Sequence, residues 1–166
     1  MGHYYAVGFS SADSSAVVKD IFQIKGSTKA NFRLREIHLG KIAAAQTSSA
    51  IETLPVSIWR GSTLDSVGGA TGTVVNLDGR YSATGTFTTL VNSSSPGSSG
   101  PAGKLVFSRP WNTQNEYVVK WGEKDAPTCV LGQRLQVRMG APAAAIVIGG
   151  DMVIEEVPHV PGSTVR

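Results

Sequence analysis

Apolar residues in this chain recur at every second position, in short runs cut by clusters of Gly, Ser, Pro, Asn and Asp. Tyr5, Val7 and Phe9, for example, alternate with Tyr4, Ala6 and Gly8. A period of two belongs to strands, and the clusters between the runs belong to turns. No long segment carries apolar residues at helical spacing. The expectation is an all-β chain, an antiparallel β-sandwich or jelly roll of about ten short strands.

The runs place strands at Tyr4 to Phe9, Val17 to Ile24, Asn31 to Leu39, Pro55 to Trp59, Thr71 to Leu77 and Tyr81 to Leu90. Further strands are expected at Lys104 to Phe107, Tyr117 to Trp121, Gln133 to Met139, Ala144 to Ile148 and Met152 to Val157. Ser10 to Ser15 reads as a polar turn cluster, Asp78-Gly79 as a hairpin turn and Gly149-Gly150 as another turn. In the second strand Val18 and Phe22 are the expected core residues, while Lys19, Asp20 and Gln23 face outward. The third strand slips. Phe32 and Leu34 share one parity, Ile37 and Leu39 the other. Either a β-bulge near Glu36 returns all four to one side, or the strand is buried partly on both faces. Ala43 to Ile51 is Ala-rich and reads as a short helical turn or as irregular chain. Pro55 suits an edge strand or a strand start.

The 166 residues fit one domain. That domain is expected over residues 1–157, with a Ser/Gly/Pro loop at 92–103 and an extended arm at 158–166. Charged residues make up only 16% of the chain, against about 25% in ordinary soluble domains. That lightness argues against a coiled coil, a helical bundle and a charged disordered chain. The net charge of +3 is too weak for a dedicated nucleic-acid binder. The N-terminus lacks the basic and apolar regions of a signal peptide, and Ala143 to Ile148 is far too short to span a bilayer. Synthesis in a cytoplasm follows as an expectation. The Asn92-Ser93-Ser94 sequon then carries no meaning.

Candidate chemistry is sparse. His3 and His159 lie in terminal segments, and His38 sits on a strand facing solvent or a neighbouring subunit. No Gly-x-Ser-x-Gly elbow accompanies them. Asp151 and Glu155 share a strand face, but with Glu156 they read as solvated edge charges. Cys129 reads as a small buried hydrophobe. Gly68 to Gly72 lacks the Gly-Lys-Ser/Thr of a phosphate cradle. No catalytic residue, metal ligand or cofactor site is expected. Two features point to partners. Lys25, Lys29, Arg33, Arg35 and Lys41 crowd one segment against the single acid Glu36, with Arg33 and Arg35 on one strand face. They form either a solvated face or an electropositive patch that docks on an acidic surface. Trp111, between Pro110 and Asn112, reads as a loop residue, available for an interface or a sugar ring unless it packs into the core.

The segment Leu131 to Met139, the small-residue run Ala141-Pro142-Ala143-Ala144-Ala145, the strand Ile146-Val147-Ile148 and the closing Met152-Val153-Ile154-Glu155-Glu156 together resemble small jelly-roll virion proteins of tailed bacteriophages, of the capsid decoration or cement kind. The resemblance implies a non-enzymatic virion protein, a homotrimer seated on the major capsid protein. The alternative is a carbohydrate-binding or receptor-binding β-sandwich of a phage tail.

Overall fold

The computed structural model describes residues 2–14, 17–26, 29–42, 51–62, 66, 68–78, 87–91, 93, 103–143 and 146–158. Twelve strands carry the fold: β1 (His3–Ser14), β2 (Lys19–Lys25), β3 (Ala30–Lys41), β4 (Thr53–Ser62), β5 (Ala70–Thr71), β6 (Thr73–Asn76), β7 (Thr88–Val91), β8 (Lys104–Asn112), β9 (Tyr117–Lys120), β10 (Thr128–Cys129), β11 (Arg134–Met139) and β12 (Ile146–Pro158). No helix occurs among the described residues.

All strand pairs are antiparallel, in two sheets. The front sheet runs β6-β1-β12-β3, with β9 and β10 both pairing along the far side of β3. The back sheet runs β5-β7-β2-β11-β4-β8. Without β5 to β7, the spatial orders are β1-β12-β3-β9/β10 and β2-β11-β4-β8, the two interleaved Greek keys of a jelly roll. The segment between β4 and β8 is an insertion. It adds β6 beyond β1 in front, and β7 and β5 beyond β2 behind.

The period of two sorts each strand into an inner and an outer face. Tyr5, Val7, Phe32, Leu34, Met152 and Ile154 from the front meet Phe22, Ile24, Val56, Ile58, Leu135 and Val137 from the back, none of them more than 4% exposed. Aromatic edges stitch the layers. Phe9 meets Phe22 at 5.0 Å between ring centroids, and Phe87 stands edge-on to Phe32 at 5.0 Å.

The parity slip in the third strand is a bulge. Val153 pairs with Glu36 and Ile154 with Leu34, so Arg35 is the extra residue. Phe32, Leu34, Ile37 and Leu39 consequently all lie inside, at 1% exposure or less. The reading of a strand buried on both faces is excluded.

Other expectations need correction. Ser10 to Ser14 does not turn. Beyond a register shift after Phe9, β1 continues against Ile146 to Ile148. Gly149-Gly150 does not turn either, because β12 passes straight through it. A Cβ on Gly150 would run into the His38 carbonyl and lie 2.9 Å from the Leu39 side chain, so glycine there serves close packing. Pro55 lies on an interior strand, opposite Pro110, and its carbonyl accepts a hydrogen bond from Gly140. Around β2 the expectation holds in part. Phe22 is fully buried in the core, but Val18, just before the strand, is 39% exposed, and Lys19, Asp20 and Gln23 are at most 7% exposed. The helix reading of 43–51, most of the 92–103 loop, residues 81–86 of the return strand and the arm beyond Pro158 lie outside the described residues. The rest of that return strand is β7, which pairs with β2 on the back sheet and not with β6, which pairs with β1 on the front, so β6 and β7 do not form a hairpin. Ile51 itself is irregular and exposed, and Ser93 is buried.

Candidate functional site

The two outer faces of the sandwich differ. Over β2 and β11 the back face is sealed, while Leu105 on the edge strand β8 is 52% exposed. Ser66, beyond the end of β4, lies over β2 and β11, where its amide donates to Gln23 Oε1 at 2.8 Å. Its hydroxyl lies 2.7 Å from Asp20 Oδ2 and 2.8 Å from Gln23 Oε1. Gln136 Nε2 donates to Gln23 Oε1 at 3.2 Å. Arg138 grips Asp20 through Nε at 2.8 Å and stands 5.5 Å from the centre of the Trp59 ring. The Asp20 side chain has no solvent exposure. Ser93 closes the end of this network, exchanging hydrogen bonds with the Asp20 backbone. These polar side chains sit outside the core, yet all except Arg138, whose side chain is 14% exposed, are closed to water.

The front face is open. Its centre is an ionic lattice on β3, β12 and β9. Arg33 Nη1 donates to Glu123 Oε1 at 3.4 Å and stands 3.7 Å from Glu155 Oε2, while Arg35 Nη1 stands 3.8 Å from the same oxygen. His38 lies between acids, with Nε2 3.1 Å from Glu36 Oε2 and Nδ1 3.7 Å from Asp151 Oδ1. Lys120 meets Glu36 at 3.0 Å. That hydrogen bond, helped by His38 and opposed by partial burial, holds the Glu36 carboxyl below the usual carboxylate range. Toward β6 the charges give way to an apolar strip. Tyr4, Val75 and Leu77 are 37%, 52% and 54% exposed. Ala6 pairs with both Val75 and Val153, and Leu77 donates its amide to the Tyr4 carbonyl, so the strip is carried on the paired strands β1 and β6.

The five clustered cations do not form one patch. Lys25 ends β2 on the back sheet and Lys29 is exposed between the sheets' strands. Arg33 and Arg35 share the front face, where Glu155 and Glu123 offset them. Lys41 lies at the opposite end of β3 from Arg33, about 25 Å away at roughly 3.3 Å per residue. Long-range pairing supplies acids that the local sequence lacks. Trp111 is no loop residue: it belongs to β8, is 2% exposed, and donates its indole N–H to the Asn115 carbonyl at 2.8 Å. Its faces are spent on packing, including an edge contact with Tyr117.

Compared with known protein families, curated proteins and solved structures, the chain matches none.

Asp151 and Glu155 do share the outer face, but on a central strand, not an edge. Glu155 and Glu156 are each 7% exposed and point to opposite sides. Glu155 serves the two arginines. Glu156 takes the hydrogen bond of the Tyr5 hydroxyl, which burial and that carboxylate push above its ordinary range. Cys129 is fully buried; burial pushes its thiol up to about 12, and the S–H lies 3.2 Å from the Gln133 carbonyl. A thiol held neutral in this way is no nucleophile at neutral pH. Among the described residues no group of three or more His, Cys, Asp and Glu side chains is placed to hold a metal ion.

The strip at Tyr4, Val75 and Leu77 escaped the sequence reading. Its residues come from strands far apart in sequence, and each alone looks like an ordinary alternating apolar position. The sealed back face escaped for the same reason.

Proposed function

We propose that this chain is a non-enzymatic structural protein of a tailed-phage virion, which decorates or cements the capsid by docking its front sheet on the major capsid protein. The observation that carries this reading is the contrast between the two outer faces. Over β2 and β11 the back face closes on itself through Ser66, Asp20, Gln23 and Arg138. The front face presents an exposed apolar strip on its β6 side beside compensated charges at its centre, the mixture of apolar and polar surface that protein interfaces use. Aromatic Tyr4 is the expected anchor. The resemblance over 131–156 supplies the partner and the homotrimer, and the jelly-roll strand order suits it. Because capsid symmetry repeats the site, each contact can be weak and the assembly still tight.

The test is co-sedimentation with purified capsids. Wild-type protein should pellet with them, while Val75→Asp together with Leu77→Asp should remain in the supernatant with unchanged circular dichroism. Equal pelleting of both would remove the front face as the docking surface. A protein that is strictly monomeric in sedimentation velocity at micromolar concentration would count against the trimer.

A further inference from the structure

At the side of the sandwich where β8 leaves the back sheet and β9 enters the front one, the connecting turn folds into a notch of about 260 Å³. We propose that this notch binds a saccharide, one neutral pyranose ring at a time. The turn is rigid before any ligand arrives. Trp111 Nε1 donates to the Asn115 carbonyl at 2.8 Å, Asn115 donates its amide to the Asn112 carbonyl at 3.0 Å, and Gln114 donates its amide to Asn112 Oδ1 at 3.0 Å. Thr113, 1% exposed, ties the turn to Glu52 through its amide at 3.0 Å. A site already held in shape loses little freedom on binding.

The lining explains the ligand class. Exposed Pro110 and Val118, backed by the buried Trp111 and Tyr117 rings, form the apolar floor, and Arg109, Asn112, Asn115 and Glu116 form an exposed rim. Arg109 and Glu116 make no ion pair or side-chain hydrogen bond among the described residues, whereas Arg33, Glu36 and Glu155 on the front sheet are paired. The rim thus offers a fork of donors, a carboxylate acceptor and carboxamides that both donate and accept. An anion would meet Glu116 and a cation would meet Arg109. A sugar ring has a C–H face for the floor and a circle of hydroxyls, each a donor and an acceptor, for the rim. The volume lies below the roughly 300–1,000 Å³ of sites for drug-sized ligands, which fits a single ring. Trp111 backs the site from within, through its buried ring and its N–H bond to the Asn115 carbonyl, and does not stack. This site is independent of the front-sheet surface.

The experiment is an NMR titration of the whole chain with glucose, galactose, mannose and N-acetylglucosamine in turn, with sodium acetate as the anionic probe. At least one sugar should give saturable shifts confined to the Asn112 to Val118 amides and the Trp111 indole N–H. Arg109→Ala and Glu116→Gln, both at exposed positions, should keep the remaining spectrum and each weaken that sugar at least tenfold. No saturable shift with any of the sugars would overturn the proposal. So would shifts that acetate reproduces and Glu116→Gln strengthens, which mark an anion site, and so would sugar shifts that survive both substitutions.

Discussion

Asp20→Asn probes what seals the back sheet. The Asp20 side chain is fully buried and the Arg138 side chain is 14% exposed, with the Arg138 Nε 2.8 Å from Asp20 Oδ1. Breaking a buried pair by removing one partner costs about 3–5 kcal/mol, because the remaining charge is left uncompensated. Two features place this case at the low end. The arginine keeps some solvent, and it keeps the Trp59 ring 5.5 Å away. Ser66 loses less, because Gln23 Oε1 stands 2.8 Å away as another acceptor. The expected loss is therefore about 3 kcal/mol. In a chain of this size that lowers Tm by about 6–12 °C. Urea unfolding followed by tryptophan fluorescence should show the midpoint falling with the slope unchanged. Adding Arg138→Met should recover most of the loss, since an apolar pair of similar volume is often as stable as the ion pair. A loss below about 1 kcal/mol, or a double variant no better than the single, would refute the picture of a network closed to water.

Three further outcomes follow from the same geometry. Gly150→Ala drives a methyl group into the His38 carbonyl and the Leu39 side chain, and should cost about 3 kcal/mol or more in chemical denaturation. Deleting Arg35 removes the bulge and turns Ile37 and Leu39 outward, so it should abolish folding by circular dichroism, whereas Arg35→Ala, which keeps the residue count, should fold. Glu36 titrates lower in the folded chain than in the unfolded one, so its contribution is full above the unfolded value and fades as pH falls through the folded one. Glu36→Gln should accordingly be less stable by about 0.5–1 kcal/mol at neutral pH, with the gap closing once pH drops below the ordinary 4.5.

What the sequence revealed follows the range of the forces involved. The bulge was legible because alternation is local: two pairs of apolar residues on opposite parity need one extra residue between them, and Arg35 is that residue. The sandwich was legible from the same alternation. The faces of β2 were not, because Asp20 and Gln23 look like solvent-facing residues until Ser66, more than forty positions away, is laid on them. The basic cluster misled for the same reason, since Glu155 and Glu123 reach Arg33 only through pairing and turns from distant parts of the chain. Trp111 was taken for a loop residue on the strength of Pro110, yet β8 is an edge strand, where proline removes no ladder bond that the sheet requires.

The positions of β11 and β12 carry a consequence for how the molecule comes into being. These two, the last of the described strands, lie in the middle of the two sheets, β11 between β2 and β4, and β12 between β1 and β3. Until they emerge from the ribosome, the earlier strands have no central partner. They wait as unjoined edges with apolar inner faces in contact with water, a state prone to aggregation. Folding is then a late, concerted closure dominated by pairings distant in sequence, which places it among the slow β-topologies, in milliseconds to seconds. A ribosome that stalls before residue 134 leaves neither sheet with its centre.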